Sequence, residues 1–198
     1  MTMAIKRTTA ALGAAGALTL ILSGCGAPED EAQGVESLQA AHHREDRCRR
    51  GAADVPAALA VPDGDCLEVQ ALGTGVQVYT CTAGAWALKA PEANLLDRHG
   101  RFVGNHFLGP TWQWNDGSKV KGARNAQVAA PDAAHDIAWL LLDVASEDGD
   151  GRLAAVTHIQ RIHTAGGVAP AGPCTTEAAE IRVPYTADYL FFRPASQE

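Results

Sequence analysis

Positive charge is scarce in this chain. Sixteen Lys and Arg stand against 23 Asp and Glu, for a formal net charge of −7. Binding nucleic acid requires Lys and Arg clustered to neutralise phosphates, so that class is excluded. The one basic cluster, Arg47 to Arg50 with His42, His43 and Arg44 nearby, is diluted by Glu45 and Asp46. Past the first 25 residues no stretch approaches 18 uninterrupted apolar positions, which excludes an ordinary transmembrane helix there. Chemical signatures are equally thin. The chain has no His-Glu-x-x-His, no His-x-His, no Cys-x-x-Cys and no Gly-x-Ser-x-Gly, the spacings that serve zinc hydrolysis, zinc structure and serine nucleophiles. His99 and His106 are seven apart and His158 and His163 five apart, so on one strand each pair points to opposite faces. The acidic run Glu147 to Gly151 lacks the alternating ligands and distant Glu of a calcium hand and reads as a solvated turn. There is no internal repeat and no low-complexity block.

What the chain does have begins at its N-terminus. Lys6 and Arg7 precede an uncharged apolar run from Thr8 to Leu22, and Leu22-Ser23-Gly24-Cys25 follows at once. A basic n-region, a short h-region and small residues before a cleavage point make an export signal rather than a fold element. The last four residues resemble the lipobox of bacterial lipoproteins. The expectation is a signal peptide over 1–24 and a mature chain beginning at a lipidated Cys25. It would sit in the bacterial cell envelope, its membrane partner reached through acyl chains worth about 0.8 kcal/mol per buried methylene. Gly26 is not the aspartate that signals inner-membrane retention.

Cys48, Cys66, Cys81 and Cys174 remain, an even number that outside the cytoplasm suggests two disulfides of three connectivities. The preferred pairing is Cys48 with Cys66, closing a local loop, and Cys81 with Cys174, tying the first core strand to a late loop. Residues 25–65 are polar, Ala-rich and broken by Pro28, Pro56 and Pro62, and read as a tether and flexible N-terminal arm. Residues 66–198 read as a single globular domain.

Within that domain short β-branched and aromatic runs are separated by turn residues: VQVYTC, AWALKA, RFVGNHF, TWQWN, KVKGARNAQVA, IAWLLLDVA, LAAVTHIQRIHT and PYTADYLFF. About eight such runs predict an all-β fold, an antiparallel β-sandwich or barrel. IAWLLLDVA is apolar on both faces and should be a doubly buried strand.

GVQVYTC, PEANLLD, VGNHFLGPTW, DGS, AWLLL, IQRIHTAGGVAP and YTADYLFF, in this order between Leu72 and Phe192, resemble the domain-of-unknown-function family numbered 3455 of bacteria and fungi. The resemblance implies an exported or surface all-β protein and no particular activity.

The richest candidate stretch is Asn105 to Val120. On a strand Trp112 and Trp114 share one face, as core or as an aromatic platform for a flat ligand. Asp116-Gly117 is a hairpin-turn signal, and Gly109-Pro110 fixes a bend that returns His106 toward Trp112, where it can donate, accept or ligate. Arg161 and Asp188 each interrupt an apolar strand. Burying either charge alone is expensive, so a structural ion pair between them is expected, with a clamp on a ligand anion as the alternative role for Arg161. Two functional classes follow. One is a lipid-anchored binding module holding a small molecule, glycan or envelope partner through His106, Trp112, Trp114, Asp116 and Arg161. The other is an envelope enzyme, metal-assisted or acid-base, built on His106 and Arg161. No catalytic spacing and no cofactor motif is present, which favours the first.

Overall fold

A computed structural model describes residues 54–195. The expectations for the signal peptide, Cys25 and Cys48 lie outside the described residues. After a single 3-10 turn, Ala57–Leu59, the chain forms β1 (Asp65–Thr82), β2 (Ala85–Leu96), β3 (Phe102–Phe107), β4 (Thr111–Trp114), β5 (Lys119–Val128), β6 (Trp139–Asp148), β7 (His158–Gly166) and β8 (Glu180–Pro194). Each strand pairs antiparallel with the next, and β8 returns to β1, so the sheet closes into an eight-stranded up-and-down barrel. Of the two expected architectures, the barrel is the one formed.

Local chemistry explains the corners. Ala83 and Gly84 both have positive φ, 51° and 82°, the two-residue turn that matches strand twist. Between β4 and β5 the amide of Gly117 donates to Trp114 O and that of Trp114 to Ser118 O. This is a three-residue loop in which Gly117, at φ 91°, takes the left-handed position that a side chain resists.

Alternation along the strands sends one set of side chains inside and the other out. The inner set includes Ala71, Leu95, Trp112, Leu142, Ile159, Tyr185, Tyr189 and Phe191, all buried. Outward positions such as Gln70, Glu92, Asn94 and Asn105 are exposed. Such a barrel is apolar within and polar without, the reverse of a membrane-spanning one. Large rings fit because small residues face them: an added Cβ at Gly73 would lie 2.4 Å from Tyr189, and one at Gly122 would lie 3.0 Å from Trp112.

The two ends differ. At the end holding the β2–β3, β4–β5 and β6–β7 connections, Leu153 and Val156 from the β6–β7 connection fold in under Trp114, Val120, Ile159 and Phe191 and close the barrel with apolar packing. At the opposite end Gln77, His106 and Arg161 interrupt an otherwise largely apolar lining, and the β1–β2, β3–β4, β5–β6 and β7–β8 connections surround it.

A second cluster lies outside the barrel. Leu59, fully buried, sits on Trp139, Leu141, Ile162, Leu190 and Phe192, and Gln160 Nε2 donates to Leu59 O at 2.7 Å. Of the stretch read as an arm, Val55, Leu59 and Val61 pack on the barrel and cover the outward apolar side chains of β6, β7 and β8. This cover is why the first half of β6 is buried on both faces, as its sequence predicts.

Candidate functional site at the open end of the barrel

His106 on β3 and Trp112 on β4 are direct cross-strand partners. The Leu108–Pro110 turn brings them together, and their rings stack at 4.3 Å with 10° between planes. Tyr189 meets both edge-on, at 5.1 Å and 5.5 Å. His106 Nδ1 lies 2.9 Å from the carbonyl of Thr111. A carbonyl only accepts, so Nδ1 carries the proton and Nε2 is left as an acceptor. Burial holds the ring neutral, its pKa pulled down to about 3 against the opposing hydrogen bond to Thr111, and the charge of Arg161 pushes the same way.

Arg161 projects inward from β7. It donates through Nε and Nη2 to Ala138 O at 3.2 Å and 2.8 Å and makes no ion pair among the described residues. The expected pair with Asp188 is not formed. In the β7–β8 register Arg161 faces Tyr189 and Ile162 faces Asp188, and cross-strand partners share a face, so Arg161 is inside and Asp188 outside. Asp188 instead accepts from His163 at 2.9 Å. Three buried phenols stand near the guanidinium. Burial raises the pKa of Tyr79, Tyr185 and Tyr189, partly offset by Arg161, so all three are neutral donors at physiological pH. Tyr79 Oη donates to Gly167 O at 2.6 Å, and the hydroxyls of Tyr185 and Tyr189 are 3.1 Å apart.

His106, Trp112 and Arg161 border a cavity of about 410 Å³, whose walls also include Gln77, Leu140 and Leu142. A second depression of about 510 Å³ adjoins it and shares Arg161 and Gln127. Gln77 Nε2 and Trp112 Nε1 are buried without any hydrogen-bond partner, a state that native interiors avoid at a cost of about 1–3 kcal/mol per group. The rim carries Lys89, paired with Glu180 at 2.5 Å, and Arg124, which donates to Gln127 at 3.1 Å.

Three of the five predicted binding residues thus meet at one cavity: His106, Trp112 and Arg161. Trp114 shares the inner face, as its spacing predicts, but packs edge-on against Phe191 toward the closed end. Asp116 holds a corner: Oδ1 accepts from the amide and hydroxyl of Ser118, and Oδ2 from the amide of Arg152 at 2.8 Å. These bonds pull its pKa below the usual carboxylate value. The Cys81–Cys174 disulfide is present and pins the β7–β8 connection to the open end, where Cys174 N also donates to Gly84 O. Sequence reasoning missed Gln77, although a glutamine amid VQVY interrupts an apolar strand just as Arg161 does.

Fold and site together define a closed β-barrel with one sealed end and one hollow end, the hollow end carrying a buried histidine and an inward-facing arginine. The chain belongs to the family described as Protein of unknown function (DUF3455), whose model matches residues 62–193. No curated protein and no solved structure matches the chain.

Proposed function

We propose that this is an exported, lipid-anchored binding protein that holds a small molecule in the open end of its barrel. The observation that carries the reading is the cavity of about 410 Å³, within the roughly 300–1,000 Å³ usual for small-molecule sites, with Gln77 and Trp112 offering buried polar atoms that the fold leaves unpaired. Catalysis fits less well. A histidine with a pKa near 3 is a weak proton acceptor at neutral pH, and its protonated nitrogen is committed to Thr111. The N-terminal signal supplies the address, with Cys25 as the lipid attachment point.

The test is a thermal-shift screen of metabolites on the full-length protein and on Leu140→Trp, which fills the cavity wall. A true ligand at 100 times its Kd stabilises by about 2.7 kcal/mol, and that gain should vanish in Leu140→Trp. Equal stabilisation of both proteins places binding elsewhere and overturns the reading. For the anchor, Cys25→Ser should move the protein from the membrane fraction to the soluble one. Retention with membranes refutes lipidation at Cys25.

A further inference from the structure

We infer that the occupant of this cavity is an organic monocarboxylate, its carboxylate held by Arg161 and its apolar body against Leu140, Leu142 and Pro91. The inference rests on the binding reading above and specifies its ligand class. In a chain of net charge −7, the cavity walls include Lys89, Arg124 and Arg161 and no carboxylate. An acidic protein that keeps every acid out of one hollow has reserved that hollow for an anion from outside.

Arg161 is the central cation. Two of its five N–H donors are spent on Ala138 O, and a carbonyl offers no countercharge. A further donor is engaged by the hydroxyl of Tyr189, and the remaining N–H groups and a full positive charge are held in a position fixed by that anchoring. A guanidinium held this way matches a carboxylate's two oxygens and loses little freedom on binding. Lys89 already has Glu180, and Arg124, which has only the neutral Gln127, is exposed at the rim where water screens its charge, so Arg161 is the cation that an anion inside the cavity would meet. In the adjoining depression Asp136 is occupied by the amide of Gly166 and makes no ion pair with Arg161.

The experiment measures binding to the full-length protein by calorimetry and by tryptophan fluorescence. The probes are phenylacetate, indole-3-acetate and octanoate, the three corresponding amides, and phenyl phosphate. At least one carboxylate should bind ten-fold or more tighter than its amide. Arg161→Gln should bring the two within about three-fold, and Arg161→Lys should restore part of the preference. Circular dichroism and an intact Cys81–Cys174 bond check that each variant is folded. Equal binding of acid and amide, or tighter binding of phenyl phosphate, overturns the carboxylate assignment while leaving a binding cavity. Preference unchanged in a folded Arg161→Gln overturns the role of Arg161. No binding by any probe overturns this inference and weakens the reading beneath it.

Discussion

Replacing Leu59 with Ala tests whether the strip before β1 is part of the folded domain. Leu59 is fully buried on the outward faces of β6, β7 and β8. The substitution removes apolar carbons equivalent to roughly three methylenes at about 0.8 kcal/mol each. It also leaves a cavity beside rigid Trp139 and Phe192, at about 24 cal/mol per Å³ that fails to collapse. Together these predict a loss of about 3–4 kcal/mol. In urea titration of the full-length chain, with an m value typical of small domains, the midpoint should fall by about 1–2 M at unchanged slope. Leu72→Ala is the control: Leu72 is 41% exposed on the outer face of β1, and its loss should stay within about 0.5 kcal/mol. A Leu59→Ala change under about 1 kcal/mol would refute the reasoning, since the arm would then rest on the barrel without stabilising it.

Acid should weaken the fold through His106. Its folded pKa of about 3 lies below the unfolded value of about 6.5, so its contribution is complete above pH 6.5 and is lost as pH falls toward 3. Between pH 6.5 and 4.5 the loss should be about 2–3 kcal/mol, and His106→Phe, which keeps the stacked ring, should flatten the urea-midpoint profile over that window. Replacing Cys81 and Cys174 with Ala should cost about 3–5 kcal/mol by the loop-entropy account, and peptide mapping without reductant should recover Cys81 and Cys174 in one linked species. Asp116→Asn should raise hydrogen exchange at Arg152 and Leu153 while leaving binding in the cavity unchanged. A loss of binding with normal exchange would mean that Asp116 acts on the ligand after all.

Much of the architecture can be read from local chemistry. Each of the eight strands overlaps one of the sequence runs, because alternating β-branched and aromatic residues between turns have few other ways to bury one face. The stretch LAAVTHIQRIHT was read as one strand, yet β7 begins only at His158. Leu153 and Val156 look strand-like but are spent plugging an end, and what they plug is decided in three dimensions. The same limit governs the site. Pairing His106 with Trp112 is a local event across one turn, and it was legible. Whether Arg161 meets Asp188 depends on a register between strands that share no turn-level signal, and a shift of one position sends a side chain to the other face.

The β1–β8 seam joins the first strand of the domain to the last, Asp65 with Pro194 and Thr80 with Glu180. Until β8 has emerged, β1 and β7 are open edges, and no nascent portion of the chain can reach the native arrangement. Pairing across such sequence distance is slow to form, and unpaired edges invite association with other chains. Under the export proposed above, that delay would keep the chain threadable until its final strand is delivered.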